Sequence, residues 1–206
     1  MGLAIGYLEW NWPHDWYAVK DVSALPRSPE NDLVRYGSQL ITETASHIGK
    51  SAADPALRFA GNDLACRNCH LNAGFKAFAA PFVSTFSSFP MLVNDETITL
   101  RERINGCMTR SMNGRVLPEQ GREMQAMVAY IRFAGLDSPQ GIRLPGMGLV
   151  HMAGPKEAPD ERRGAGLYAE QCANCHKPDG GGERAPAPAI GYAIPPLWDR
   201  SILRRA

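Results

Sequence analysis

Two five-residue motifs in this chain of 206 residues have the residue types and spacing that attach haem covalently. Residues 66–70 have the sequence C-R-N-C-H, and residues 172–176 have the sequence C-A-N-C-H. In a C-x-x-C-H motif the two thiols bond the vinyl groups of haem, and the histidine becomes an axial ligand of the iron. The sequence therefore predicts two covalently bound haem c groups. The residues assigned to them are Cys66, Cys69 and His70 for the first, and Cys172, Cys175 and His176 for the second.

A redox dithiol and a zinc knuckle also use C-x-x-C pairs. A thioredoxin-like pair would open a helix after a strand, but no β-branched run precedes Cys66 or Cys172. A zinc site would need further Cys or His residues at knuckle spacing, which neither motif has. Both alternatives are therefore weaker than haem attachment.

The sixth ligand of the first iron must come from the residues that follow His70. The candidates are Met91, Cys107, Met108 and Met112. Of the five cysteines, Cys107 alone lies outside the two motifs. A free thiol in an oxidising compartment is a liability unless it is buried or used, and a metal would hold it as a thiolate. Two interpretations remain open: Cys107 ligates the iron, or Cys107 is an inert core residue and Met108 or Met112 ligates it, as in an electron-carrier cytochrome.

Four arginines surround Cys107 in sequence and are opposed only by Glu102. They are Arg101, Arg103, Arg110 and Arg115. A guanidinium group donates paired hydrogen bonds to oxyanions, so this composition favours a site for a small sulfur or phosphorus oxyanion. One or two of the arginines are also expected to bond haem propionates.

The second motif has no downstream candidate for a sixth ligand, because no Met, His or Cys follows it. Met147, His151 and Met152 lie upstream, and we interpret each as an ordinary linker residue.

Hydrophobic periodicity predicts helices over residues 29–48 and 121–133, and we expect a short helix over residues 163–171 to lead into Cys172. We assign Met124 and Met127, which lie on the apolar stripe of the second helix, to the core. No strand pattern of period two persists, so the predicted fold class is all-α, with loops around haem. The predicted organisation is an N-terminal extension (1–28), a catalytic cytochrome c domain (29–138), a Pro/Gly-rich linker (139–159) and a second, apparently incomplete cytochrome c domain (160–206).

Charge and hydropathy exclude several partners. The formal net charge is only +1, so the chain lacks the large positive charge that would favour binding to nucleic acid or to an anionic membrane. The apolar run at residues 2–8 ends at Glu9, which makes it too short for a membrane span or a complete signal peptide. Covalent haem attachment normally takes place outside the cytoplasm. We therefore expect a periplasmic protein whose export segment is missing from this chain.

From about Val34 to Trp198 the chain resembles the dihaem thiosulfate dehydrogenases, also called tetrathionate synthases. The segments that carry the resemblance are A-S-H-I-G (45–49), C-R-N-C-H-L-N-A-G (66–74), R-I-N-G-C (103–107), R-S-M-N-G (110–114) and P-P-L-W (195–198). Generic cytochromes share C-x-x-C-H, but they do not share a cysteine followed by R-S-M-N-G.

The resemblance implies that His70 and Cys107 ligate the first iron and that Arg103 and Ser111 line the substrate site. It implies oxidative coupling of two thiosulfate ions to tetrathionate, with electrons leaving through the second haem to an acceptor c-type cytochrome. It also implies that Cys107 bonds a substrate sulfur during turnover. Members of the family continue past P-P-L-W to a methionine that ligates the second haem, so we expect the second domain to be truncated.

Two other functions fit the residues. One is a non-enzymatic dihaem electron carrier in which Met108 or Met112 ligates the first iron. The other is a haem-thiolate subunit of a multi-protein sulfur-oxidation system, in which the substrate is carried on a cysteine of a partner.

Overall fold

The computed structural model describes residues 15–93, 96–139, 142, 144–150, 153–154, 157–184 and 192–198. The upstream ligand candidates His151 and Met152 lie outside these residues. The helices are α1 (Pro29–Thr42), α2 (Thr44–Ile48), α3 (Leu100–Thr109), α4 (Arg122–Ala134), α5 (Glu161–Gln171) and α6 (Ala173–His176). Short 3₁₀ turns, including one at Cys66–Asn68, connect them. The described residues are mainly helical, with a few short strands, which confirms the predicted all-α class.

Helix α1 begins as its sequence predicts but ends early. The Ser28 hydroxyl accepts a hydrogen bond from the backbone N–H of Asn31 at 3.2 Å, and Pro29 occupies the first helical position. The prediction of one helix over residues 29–48 is wrong, because Glu43 leaves helical geometry (φ −133°, ψ 41°) and separates α1 from α2. The Thr44 hydroxyl donates to the Leu40 carbonyl at 2.6 Å, which is the acceptor that the next helical N–H would have used.

Helix α4 confirms the second predicted helix within one residue, with Gly121 and Gly135 flanking it. Its apolar face packs along α1, and this is the most extensive contact between two helices in the described residues. Met124 and Met127 are both buried in the core, as predicted.

Helix α3 was not predicted, although its N-terminus has a capping box. The Thr99 hydroxyl accepts from the Glu102 N–H at 3.2 Å, and the Glu102 carboxylate accepts from the Thr99 N–H at 2.6 Å. Few of its residues are apolar, so its periodicity is weak. This helix carries Arg103 and Cys107 to the wall of a cavity and buries Leu100 and Met108.

Two short antiparallel hairpins are present where no strand was predicted. Met91–Val93 pairs with Glu96–Ile98, and Glu183–Arg184 pairs with Tyr192–Ile194. Strands of two or three residues are too short to show a period of two in the sequence.

The second unit begins with α5, which starts two residues earlier than predicted. The Asp160 carboxylate caps it by accepting from the Arg163 N–H at 3.0 Å. No residue of α5 or α6 is buried. In the described residues no helix is long and apolar enough to cross a membrane.

Candidate functional site

A cavity of about 540 Å³ in the first domain brings together the residues assigned to the first haem and to the substrate. The predicted site residues that line it are Cys66, Cys69, His70, Arg103, Cys107 and Ser111. The rest of its wall is largely apolar and includes Ile41, Phe82 and Ile131. An apolar cavity with two thiols and an imidazole on its wall has the donor set and surroundings that a covalently attached haem requires.

The first attachment motif forms a tight turn. Cys69 and His70 both donate their backbone N–H groups to the Cys66 carbonyl, at 3.2 and 2.9 Å. The Asn68 side chain accepts from the Ala65 N–H at 2.6 Å and closes the start of the turn. One turn of chain therefore holds both thiols and the imidazole on the cavity wall.

Thr44 holds the first cysteine of the motif in place. Its side chain is fully buried and accepts a hydrogen bond from the Cys66 N–H at 3.1 Å, and its hydroxyl lies 3.5 Å from the Cys66 sulfur. Sequence reasoning missed this residue. The one signal was a hydroxyl side chain at an interior position of a predicted amphipathic helix.

The Cys66 thiol and the Cys107 side chain face the same space. Burial raises the pKa of the Cys66 thiol, the Thr44 hydrogen bond opposes this effect, and negative charge on Cys107 raises it further. Both side chains line the cavity.

His70 is held in the tautomer that binds a metal. Its Nδ1 lies 2.6 Å from the Ala80 carbonyl oxygen. A carbonyl can only accept, so Nδ1 carries the proton and Nε2 keeps its lone pair for iron. Burial lowers the pKa of His70, and the positive charge of Arg103 lowers it further, so the neutral imidazole is favoured.

The R-S-M-N-G segment is bound to the loop that leads to Cys66. Gly61 donates its N–H to the Met112 carbonyl at 2.9 Å, and the Asn62 side chain donates to the Ser111 carbonyl at 2.9 Å. Gly61 allows this approach, because a Cβ there would lie 2.8 Å from the Asn113 carbonyl carbon. These contacts fix the position of Ser111 relative to the motif.

The four arginines around Cys107 do not form a cluster at the cavity. Among them Arg103 alone lines it. Arg101 donates to the Glu119 carbonyl at 2.6 Å, and Arg115 donates to the Ala56 carbonyl at 2.8 Å and stacks 4.1 Å from the centre of the Phe59 ring. Residues two apart on a helix point in different directions, which is why proximity in sequence did not become proximity in space.

Methionines also line the cavity, so thioether sulfur atoms as well as the Cys107 thiol lie on its wall. They are Met91, Met108, Met112, Met127 and Met147. Met108 and Met112 are buried. Met147 was interpreted as a linker residue, but it packs on the core of the first domain together with the buried Leu144.

The second motif repeats the local geometry of the first. Cys175 and His176 donate to the Cys172 carbonyl at 3.2 and 2.9 Å, and His176 Nδ1 lies 3.0 Å from the Pro195 carbonyl oxygen. His176 Nε2 is therefore also left available for a metal. Pro195 belongs to the P-P-L-W segment, whose Trp198 donates to the Asp179 carbonyl.

The described side chains do not favour a bare metal ion at either motif. They contain no group of three or more His, Cys, Asp and Glu residues that could hold one. All five cysteines are free of disulfide bonds.

Two families match the chain. Residues 59–139 match the SoxA/TsdA cytochrome c domain, and residues 159–204 match the family described as cytochrome c oxidase, cbb3-type, subunit III. Each match contains one of the C-x-x-C-H motifs.

Curated relatives and a solved structure match most of the chain. A thiosulfate dehydrogenase of Stutzerimonas stutzeri is 33% identical over 85% of this chain and 54% of its own length. One from Allochromatium vinosum is 38% identical over 87% of this chain and 65% of its own length. The structure of thiosulfate dehydrogenase (TsdBA) from Marichromatium purpuratum, 33% identical, matches with a TM-score of 0.61 over 87% of this chain and 38% of that one. The chain thus spans about half the length of the first of these relatives.

Proposed function

We propose that this homologue of the thiosulfate dehydrogenases, whose residues 59–139 form a SoxA/TsdA cytochrome c domain, couples two thiosulfate ions to tetrathionate. The observation that carries the proposal is the cavity that holds Cys107 and Arg103 beside the first attachment motif. An electron carrier needs a haem pocket, but it does not need a thiol and a guanidinium group on the same wall.

The reaction forms one S–S bond between the terminal sulfur atoms of two thiosulfate dianions and releases two electrons, with no proton transferred. Haem c, when bound, supplies a one-electron acceptor beside the reacting sulfur atoms. Residues 66–70 and 172–176 would hold one haem each, so the chain would offer one such acceptor for each of the two electrons, and an acceptor c-type cytochrome would then receive them.

His70 and Cys107 are the ligands that we assign to the first iron. His70 offers Nε2 because Ala80 occupies its Nδ1–H. The assignment of Cys107 is supported by its place on the wall of the cavity that Cys66, Cys69 and His70 also line. A thiolate there would ligate the iron. Bonding of this thiolate to the terminal sulfur of one thiosulfate would release the two electrons, and attack of the second thiosulfate on that S–S bond would form tetrathionate and free the Cys107 thiolate without further oxidation.

Arg103 and Ser111 are assigned to substrate binding. Both are exposed while they line the cavity, so they lie where solvent reaches it. Two unit charges 4 Å apart in water repel by about 1 kcal/mol, so two dianions repel by roughly four times as much. A guanidinium group that binds both anions would offset part of this repulsion.

The location proposed for the protein is the periplasm, because haem c is normally attached outside the cytoplasm. The proposed electron acceptor is a c-type cytochrome. We infer its existence from the chemistry, because two electrons must leave before the next turnover.

The function is tested by mixing oxidised, haem-loaded protein with thiosulfate in the absence of oxygen. Haem reduction is followed by absorbance, and tetrathionate is measured by ion chromatography. Formation of tetrathionate with matching haem reduction is expected, and a protein that stays oxidised would contradict the proposal.

Arg103→Gln should lower kcat/KM for thiosulfate by roughly tenfold to a hundredfold, because it removes one charge-assisted hydrogen bond to the substrate. The matched control is Arg110→Gln, because Arg110 is exposed and does not line the cavity.

A dihaem electron carrier is the second candidate, favoured by the presence of Met108 and Met112 on the same cavity wall. In that case one of these thioethers ligates the iron and thiosulfate neither binds nor reduces the protein. Activity of the isolated chain on free thiosulfate would also exclude a subunit that needs a substrate-carrying partner.

A further inference from the structure

Residues 144–149, here called the proximal strap, are attached to the first domain by backbone hydrogen bonds. Phe78 donates its N–H to the Gly146 carbonyl at 2.6 Å, and Ala80 donates its N–H to the Gly148 carbonyl at 2.8 Å. An isolated antiparallel bridge joins Ala79 to Leu149. Residues 144–149 were predicted to be part of the linker between the domains, but in the structure they are bound to the first domain.

The segment to which the strap binds has an unfavourable backbone conformation. Phe78 (φ 59°) and Ala80 (φ 49°) both lie in the left-handed region, which residues with a side chain seldom occupy. Such a conformation persists only where neighbouring groups hold it. The N–H groups of these two residues are the ones that donate to the strap.

We propose that the proximal strap positions the His70 imidazole and thereby sets the reduction potential of the first haem. Gly148 binds the N–H of Ala80, and the carbonyl of Ala80 accepts the proton of His70 Nδ1. A hydrogen bond at Nδ1 makes the imidazole a stronger donor to iron, which favours the oxidised state and lowers the potential. The inference rests on iron ligation by His70, which is part of the proposed function, but not on thiosulfate oxidation.

Tyr17 and Gly146 fix the strap in place. The Tyr17 hydroxyl donates to the Pro145 carbonyl at 2.6 Å, and burial raises the pKa of Tyr17 to about 12, so the donor stays protonated. Gly146 has φ +90°, and a Cβ there would lie 2.9 Å from the Tyr17 hydroxyl oxygen and 3.0 Å from the Ala77 Cβ. Alanine at this position would force the strap away from Ala77 and the residues beyond it.

The test is a redox titration of the full haem-loaded chain without thiosulfate, monitored by electron paramagnetic resonance so that each haem is followed by its own signal. The variants are Gly146→Ala and Tyr17→Phe. The control is Gly154→Ala, because a Cβ at Gly154 would meet nothing within 4 Å. We expect the first haem to shift to higher potential in Gly146→Ala and less far in Tyr17→Phe, with the second haem unchanged in both and no shift in Gly154→Ala.

The proposal is overturned if both strap variants load haem fully and their first haem keeps the wild-type potential. If Gly146→Ala fails to load haem, Tyr17→Phe alone decides, since it keeps the ring and removes only one hydrogen bond. If the potential of the first haem shifts in the strap variants but the wild-type protein does not oxidise thiosulfate, the role of the strap is supported and the proposed function is contradicted. If the wild-type protein oxidises thiosulfate but the potential of the first haem is unchanged in the strap variants, the proposed function is supported and the role of the strap is contradicted.

Discussion

Thr44 and Ala80 orient the two ends of the first attachment motif. Thr44 accepts the Cys66 N–H, and the Ala80 carbonyl accepts the His70 ring proton. Neither residue is part of the C-x-x-C-H pattern. The motif supplies the reactive groups, and these two neighbours hold them where one haem can meet all three.

Replacing Thr44 with Val should lower haem attachment at the first motif. Valine has nearly the same volume but leaves the Cys66 N–H without its acceptor, which costs about 1–3 kcal/mol where the group is buried. The measurement is the haem-to-protein ratio by pyridine haemochrome absorbance, together with the free energy of unfolding.

Thr42→Val is the matched control for this change. Its hydroxyl donates to the Ser38 carbonyl at 2.8 Å in the same helix, and no hydrogen bond joins it to Cys66 among the described side chains. Equal haem loss in the two variants would show that Thr44 acts through the helix and not through the motif.

The attachment residues were predictable from sequence because covalent chemistry fixes their spacing. The geometry around them was not predictable. Thr44 and Ala80 accept hydrogen bonds from Cys66 and His70, and the loops that bring these residues together have shapes that the sequence pattern does not predict. The arginine-rich composition around Cys107 misled in a different way. A helix distributes Arg101 and Arg103 to different sides, so one of them reaches the cavity and the other bonds Glu119.

Helices α1 and α4 pack on each other beside the cavity, and Gly37 lies at a close contact between them. A Cβ on Gly37 would lie 2.7 Å from the Tyr130 Cβ and 2.8 Å from the Ala126 carbonyl carbon. Both neighbours belong to α4, so relief would require the helices to separate. The Tyr130 hydroxyl also donates to the Ala73 carbonyl at 2.9 Å, which links this crossing to the segment after His70.

Gly37→Ala should therefore destabilise the first domain by about 1–3 kcal/mol, the usual cost of overpacking a close contact. Chemical denaturation of the haem-loaded protein measures the change. Gly106→Ala is the control in the same domain, because a Cβ there meets nothing within 4 Å and alanine is the better helix former, by up to about 1 kcal/mol. A loss of stability at Gly106 as large as that at Gly37 would mean that crowding is not the cause.

Sequence periodicity predicted the elements that bury a regular apolar stripe and missed those that do not. Helix α4 was predicted within one residue, since its stripe faces α1 throughout. Helix α3 buries only Leu100 and Met108, so it has little periodicity to detect. The proximal strap has no hydrophobic period, and its place is set by the carbonyls of Gly146 and Gly148, which accept from the N–H groups of Phe78 and Ala80.

In the described residues the two domains differ in how much apolar surface they bury. The first domain has an apolar core that runs from Val34 to Leu144. Helices α5 and α6 of the second domain bury none of their residues. A unit with so little core needs another source of stability, and a covalently attached haem at Cys172 and Cys175 would supply it.

The double change Cys172→Ala and Cys175→Ala should lower the haem content from two per chain to one and expose the second domain to protease. The first domain should keep its haem and its resistance to cleavage, because its core is independent of the second motif. Intact mass before and after limited proteolysis measures both effects. A wild-type protein with one haem, or a haem-free second domain that resists cleavage, would contradict this description.

The central claim is that Cys107 and His70 ligate the first iron, and low-temperature electron paramagnetic resonance of the oxidised, haem-loaded protein tests it most directly. We expect a low-spin thiolate signal that disappears in Cys107→Ala and persists in Met112→Ala. Met112 is the matched control because its thioether lines the same cavity. A wild-type spectrum without a thiolate signal, or one unchanged by Cys107→Ala and altered by Met112→Ala, would contradict the claim and favour an electron carrier.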